Sequence, residues 1–275
     1  MGRNDNIAIF EDTQKLCATN AVLRDMIIKC NSLQEVILQN DTIERNFPDR
    51  EQPAAVTVTK RRTLEAAQKY KGKKVCALNF ASATTPGGGV TWGSTAQEEC
   101  LCRISTLYEH LTEKTMWDRF YSPHRRTHDP LYTDDCIYTP DVIVFKTDEV
   151  KPSLLPSQRW WTVNVITCAA PNLRPDRDTG KVVNISDASL MKLHIQRARR
   201  ILDVAASKGN DVVILGAFGC GAFKNPPEVV ANALRQVAEE YRYYFEAIEF
   251  AVYCSPRDDT NYQVFKNTFA DFYSC

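Results

Sequence analysis

Five short runs of apolar, β-branched and aromatic residues recur along the chain, at Val75–Phe80, Val142–Phe145, Thr162–Thr167, Val212–Leu215 and Ile248–Tyr253. Several are apolar at nearly every position, the pattern of strands covered on both faces. Amphipathic helical stretches separate them. One spans about Thr95 to Leu111. A second, ASLMKLHIQRARRILDVAASKG, stops at Lys208 and Gly209, a basic last turn followed by a glycine cap. A third follows NPPEVVANALRQVAEEY, whose prolines suit a first helical turn, and the last covers about Asn261 to Phe272. This alternation predicts an α/β fold, a three-layer α/β/α sandwich around a mixed sheet. Residues 1–55 differ. LCATNAVLRDMIIKC carries an apolar stripe at helical spacing, so an N-terminal helical extension over 1–55 is predicted to pack on a core domain over 56–275. Residues 113–160, rich in Pro, Asp and aromatic residues, predict a long irregular excursion.

Charge narrows the partners. With 34 basic and 34 acidic residues the formal charge is zero, so no global field draws the chain to nucleic acid or an anionic membrane. Any polyanion must be held by local geometry. No apolar run approaches the roughly 20 residues that span a bilayer. The opening MGRNDNIAIF lacks the apolar core and cleavage site of a secretory signal, and its sixth residue is not the Ser or Thr of a myristoylation site. The ten cysteines form no CxxC pair, and most lie in apolar surroundings such as VCALNF and VITCAA. They read as reduced thiols of an intracellular protein. His124, His128 and Cys136 match no zinc-ligand spacing. Neither a metal nor a cofactor is expected, nor a membrane partner.

Two glycine-rich loops follow strands. VCALNF runs into ASATTPGGGVTWGSTAQEE, placing Gly87, Gly88 and Gly89 at a strand's C-terminal end, where open α/β sheets bind ligands. Glycines let backbone amides approach a ligand, and successive amides can form an anion nest. In GSTAQEE, either Ser94 with Gln97 or Thr95 with Glu98 fits a capping box. Glu98 then heads the helix stripe Leu101, Ile104, Tyr108 and Leu111, with Glu99 rotated by about 100°. Two acids also simply suit the positive end of a helix dipole. Their pairing with a strand and three glycines is what points to a site. The second loop, in DVVILGAFGCGAFKNPP, has Gly216, Gly219 and Gly221 but neither a P-loop Lys-Ser/Thr nor a GxGxxG spacing. Alone it reads as a tight turn. Paired with the first loop it reads as a diphosphate cradle made of amides and a helix N-terminus. Cys220 has no His or basic neighbour in sequence to activate it as a nucleophile.

The segment NFASATTPGGGVTWGSTAQEECLCRISTLY closely resembles the microbial type of poly(ADP-ribose) glycohydrolase, an enzyme family built on a macrodomain. That family carries three glycines, six to eight residues, then Gln-Glu-Glu; here seven residues separate Gly87-Gly88-Gly89 from Gln97-Glu98-Glu99. The resemblance continues in LYTDDCIYTPDVIVFK, VITCAAPNLR and GAFGCGAFKNPP and covers about residues 57–272. It implies a macrodomain-like catalytic domain that hydrolyses ribose–ribose O-glycosidic bonds in poly(ADP-ribose) and releases ADP-ribose. Glu99 matches the acid that protonates the leaving ribose hydroxyl and then activates water; Glu98 matches the acid that orients that ribose. Gly87, Gly88, Gly89, Val90 and Gln97 belong to the implied substrate loop. Gly219, Cys220, Gly221, Ala222 and Phe223 match the loop around the diphosphate and distal ribose. Asn79 fits either a ribose contact or a structural strand end. The substrate is then poly(ADP-ribose) or ADP-ribosylated protein, the product ADP-ribose, and the chain acts as a monomer. Two alternatives stay open. One is a mono-ADP-ribosyl hydrolase acting on protein or nucleic acid. The other is a non-catalytic ADP-ribose reader, against which the intact acid pair argues. HIQRARR reads as a solvated helix face, PHRRTH as a loop offering a local phosphate contact, and Tyr262 with Phe265 as an adenine platform or core packing.

Overall fold

Asn20 decides how the N-terminal segment folds. Its Oδ1 accepts the Leu23 N–H at 3.1 Å, capping α2 (Ala21–Leu33) where α1 (Arg3–Thr19) ends. The single apolar stripe of the sequence therefore becomes two helices meeting at a capping residue. In the computed structural model, which describes residues 2–44, 50–176 and 179–273, the chain forms two compact units.

The first unit comprises the described residues of Met1–Leu38, Asn79–His128 and Asp135–Ala169. Its strands are β1 (Glu35–Ile37), β4 (Cys136–Val144) and β5 (Trp161–Cys168). β4 lies between the other two and pairs antiparallel with each, in registers such as Val36↔Ile137 and Tyr138↔Ile166. The β4–β5 register shifts between Thr139 and Val142. Pro140 offers no N–H there, and Asp141, at φ 51°, donates its N–H to Asn164 Oδ1 at 3.1 Å. Cys17, Leu23, Ile143 and Phe145 form a core cluster under the two N-terminal helices.

The second unit comprises Gln39–Leu78, Asp129–Asp134 and the described residues of Ala170–Cys275. Here β2 (Ala55–Thr59), β3 (Val75–Phe80, whose last two residues belong to the first unit), β6 (Val212–Leu215) and β7 (Ala247–Ala251) run parallel in the order β3-β6-β7-β2. Its helices are α3 (Thr63–Gln68), α8 (Asp187–Ser207), α9 (Pro227–Glu240) and α10 (Thr260–Thr268). α9 buries Val230, Leu234 and Val237 along one face, the spacing that its sequence predicts. The strand set is mixed and the class α/β, as expected.

Several expectations need correction. The helix predicted over 95–111 is two, α4 (Gln97–Ile104) and α5 (Leu107–Leu111). Ser105 turns extended between them, and its hydroxyl donates to Leu101 O at 2.8 Å while accepting the Leu107 N–H. The excursion at 113–160 is largely regular. It holds α6 (Lys114–Met116), a π-helical turn at Trp117–Tyr121, α7 (Ser122–Thr127) and β4. The last helix ends at Thr268 and a 3-10 turn follows at Ala270–Tyr273. HIQRARR is not a solvated face. His194 bonds Asn225 Oδ1 at 2.9 Å, and buried Arg197 donates to Asp134 Oδ1 at 2.8 Å. The nine described cysteines are free, and Cys275 lies outside the described residues. Among the described residues no helix is long and apolar enough to cross a membrane, and no cluster of three or more His, Cys, Asp or Glu could hold a metal.

Candidate active site

In the first unit the Gln-Glu-Glu triplet does not cap its own helix. The N-cap of α4 is Ala96 and receives no side-chain bond. Instead the three side chains reach back to the loop that leaves β3. Gln97 Oε1 accepts the Phe80 N–H at 2.8 Å, Glu98 Oε2 the Ser82 N–H at 2.8 Å, and Glu99 Oε1 the Gly89 N–H at 2.8 Å. Asn79 Nδ2 donates to Glu98 Oε1 and to Thr167 Oγ1, both at 3.2 Å. The sequence predicts free amides in this loop; the acids themselves occupy those of Ser82 and Gly89, so the nest serves the carboxyls.

Gly88 makes that approach possible. It sits at φ +58°, and a Cβ built there would stand 2.6 Å from Glu99 Oε1 and 3.0 Å from Glu98 Oε2. Both carboxyls therefore converge on one point of the backbone. Gly87 packs under the Tyr108 ring, and Val90 is fully buried.

Burial sets the chemistry. Glu98 is 3% exposed and Glu99 7%. Loss of hydration, reinforced by the Glu99 charge, pushes the Glu98 carboxyl up from 4.5 to about 8, against the lowering effect of its bonds from Ser82, Asn79 and Gly87. Glu98 thus carries a proton at neutral pH. Around the acids, Glu99 Oε2, Asn79 Oδ1 and the Tyr121 hydroxyl are buried with no hydrogen-bond partner among the described residues. Burial above all raises Tyr121 well above the ordinary phenol range, so it is a neutral donor. Sequence reasoning missed Tyr121. It lies on the π-helical turn inside the stretch read as irregular, and its only signal was the aromatic cluster WDRFY. PHRRTH is α7 rather than a loop. His124 is buried against Phe120 O at 2.7 Å, and Arg125 Nε donates to Thr84 O at 2.7 Å, bracing the glycine loop.

The second glycine loop belongs to the second unit. Gly219 has φ +81°, and a Cβ there would meet Ala170 Cβ at 2.6 Å and Asn225 Nδ2 at 2.7 Å. Its glycine is required by the protein's own packing. Gly221 is the opposite case: its φ is not positive and a Cβ would meet nothing within 4 Å. Of the two, only Gly219 is a position where the free protein's own backbone demands glycine. Asn225 anchors the turn, donating to Pro171 O at 2.7 Å and Gly219 O at 3.1 Å. The N–H groups of Gly221, Ala222 and Phe223 make no hydrogen bond among the described residues, leaving three successive amides free on a largely exposed turn. Burial, then Glu228, pushes the Cys220 thiol up to about 12, which removes it as a nucleophile. The Phe223 ring lies 6.3 Å from that of Tyr132. Phe265 is wholly buried against Phe250 and Phe269, whereas Tyr262 is half-buried with Lys60 Nζ 4.7 Å from its ring centre.

An α/β fold with buried acids locked to a strand-end glycine loop defines a macrodomain-like hydrolase. The family described as the microbial-type PARG (poly(ADP-ribose) glycohydrolase), catalytic domain, matches residues 5–147, and the chain belongs to that family. It is an enzyme of that kind, a poly(ADP-ribose) glycohydrolase. Among solved structures it is similar to the poly(ADP-ribose) glycohydrolase of Thermomonospora curvata, at 28% identity and TM-score 0.85 over 97% of this chain and 100% of that one. The same Thermomonospora curvata enzyme bound to the inhibitor ADP-HPD matches at TM-score 0.83 and 28% identity, over 97% of this chain and 100% of that one. The Deinococcus radiodurans enzyme in complex with ADP-ribose matches at 33% identity and TM-score 0.75 over 89% of this chain and 97% of that one. No curated protein matches the chain in sequence.

Proposed function

We propose that Glu99 is the general acid and base of poly(ADP-ribose) hydrolysis and that Glu98 binds the reacting ribose. The observation that carries this reading is the divided role of the Glu99 carboxyl. Oε1 is fixed by the Gly89 N–H, while Oε2 is buried with no partner among the described residues. Such an oxygen gains most from a substrate hydroxyl or glycosidic oxygen. Hydrolysis needs a proton on the leaving ribose oxygen as the C–O bond breaks to an oxocarbenium-like centre, then a water whose proton is taken as it attacks. Glu99 gives the first proton, drawn from the one that the acid pair holds on Glu98, and accepts the second from water, which restores it. Glu98, protonated at neutral pH, can donate to a ribose oxygen, and its proton keeps two adjacent carboxyls from ionising together. Asn79 Oδ1 and the Tyr121 hydroxyl are further unpaired groups that a sugar can satisfy.

The free amides of Gly221, Ala222 and Phe223 support a diphosphate contact made without cations, which suits a chain of zero net charge. In this reading Gly219 and Cys220 shape that turn, Phe223 packs against the distal ribose, and Gly87 to Val90 with Gln97 form the loop that presents the acids. The enzyme binds ADP-ribose, as the Deinococcus radiodurans relative does, and acts on the polymer as an intracellular monomer with no membrane partner. Free cysteines in apolar surroundings suit a reducing compartment. Residues 1–55 serve as an extension to a catalytic domain at 56–275. The test is Glu99→Gln. Release of ADP-ribose from poly(ADP-ribose) should fall at least about 100-fold, the usual scale for a general acid. Calorimetric affinity for ADP-ribose should be kept. Near-normal turnover would remove Glu99 from this role.

A further inference from the structure

Past the acid-binding glycines, the chain makes a 3-10 turn at Val90–Trp92. Val90 is buried, but Trp92 is 73% exposed, more than any other large apolar side chain among the described residues. Its N–H bonds Gly89 O at 3.0 Å, and the Gly89 N–H fixes Glu99, so the exposed indole belongs to the loop that holds the acids. Among the described residues it takes part in no ring or cation–ring contact.

Arg3 stands beside it. Gly93, which follows Trp92, is packed so tightly on the first turn of α1 that a Cβ there would overlap Arg3 O and lie 2.8 Å from Arg3 Cγ. Buried Asn6 locks the arrangement, donating Nδ2 to Gly93 O at 3.0 Å. The Arg3 side chain is exposed and has no hydrogen bond or ion pair among the described residues. A buried clamp thus ties the turn that carries the exposed indole to the helical turn that carries the Arg3 guanidinium.

We propose that Trp92 and Arg3 form a leaving-side subsite for the next ADP-ribose unit of the polymer, the purine stacking on the indole and the diphosphate meeting the guanidinium. This rests on the placement of the scissile bond at Glu99. A polymer, unlike a monomer, carries a base and two phosphates beyond that bond. An exposed aromatic face and a mobile cation are the groups that hold a base and a phosphate with little demand on exact geometry. The subsite favours polymer over ADP-ribose linked to a small group, and it gives the N-terminal helix a part in substrate choice.

The test compares poly(ADP-ribose) with ADP-ribose carrying a small aryl leaving group, which has no further unit. Trp92→Ala should lower kcat/KM on the polymer about 5-fold or more, chiefly through KM, the scale of base stacking on an aromatic. Trp92→Phe should retain most of the activity. Arg3→Ala should weaken polymer binding and reduce its salt dependence. The aryl substrate should be cleaved by all three within about twofold of the parent. Equal losses on both substrates would mean that the turn only supports the acid loop, and no loss on either would mean that no subsite exists; both outcomes overturn the proposal. A second reading uses the four tryptophans of the chain. On ice, poly(ADP-ribose) should quench the fluorescence of the Glu99→Gln enzyme, ADP-ribose should not, and Trp92→Phe should remove the difference. Quenching that survives Trp92→Phe counts against the subsite. If Glu99→Gln itself stays active, the acid assignment fails, while the comparison of the two substrates still decides the subsite.

Discussion

Glu98→Gln gives the sharpest test of the buried pair. The Glu98 carboxyl moves from 4.5 when exposed to about 8 in the fold, with burial the main cause. Between those values the folded protein holds a proton that the unfolded chain has released. Stability contributed at this site is therefore fully present below pH 4.5 and declines as pH rises toward 8, by about 1.4 kcal/mol per unit. From pH 4.5 to pH 7 the loss is about 3 kcal/mol, and for a protein of this size about 6–12 °C in Tm. Glutamine keeps an oxygen to accept the Ser82 N–H, has nearly the same volume and does not titrate. The assay is the melting temperature of both proteins at half-unit steps from pH 4.5 to 8. Titrations of groups that do not face Glu98 cancel in the difference, including those of His110 and His194, which burial lowers to about 3 and about 4 and which gain stability as pH rises to 6.5. The Tm of the variant minus that of the parent should climb steadily across the window. Two curves running parallel would show that Glu98 is ionised in the fold, and the proton assigned to the pair would be lost with it.

Gly88→Ala sets a methyl 2.6 Å from Glu99 Oε1 at φ +58°. It should cost about 1–2 kcal/mol of stability in denaturant melts and most of the turnover. In the second loop, Gly219→Val should lower Tm by several degrees without ligand, because the side chain meets Ala170 and Asn225. Gly221→Val should leave Tm unchanged and weaken ADP-ribose binding by calorimetry; normal binding would make the loop a structural turn only. Tyr121→Phe removes a buried hydroxyl that has no partner among the described residues, so the free protein should be as stable or more so while turnover falls. Unchanged turnover would leave Tyr121 without a role at the site.

The strands that sequence located to the residue, Val75–Phe80 and Val212–Leu215, have at most one position that is not buried. Apolarity at nearly every position is a local signal that needs no partner strand to be read. β1 and β2 escaped for different reasons. β1 is three residues, Glu35–Ile37, and exists because β4 offers it an edge. β2 alternates, burying Val56 and Val58, but follows a polar, proline-containing stretch and forms no continuous apolar run. β4 was legible only in its second half, since Pro140 and Asp141 interrupt the pattern at the bulge although the strand continues to Cys136. In each case the missing information lay in the partner strand.

The acid site shows the same limit from the other side. Capping rules look three residues along the chain, and by those rules Gln97 and Glu98 cap α4. Their actual partners, Phe80 and Ser82, are 17 and 16 residues away. Desolvation decides between the two. An acid that caps an exposed helix end stays hydrated, whereas Glu98 and Glu99 are buried and must either take up a proton or find donors close by. Loop amides are the nearest donors, and they come close enough only where Gly88 carries no Cβ. The glycines and the acids are therefore one structural unit. A change at Gly88 should disturb the acids about as much as a change in the acids themselves, whereas no rule of helix capping would couple the two.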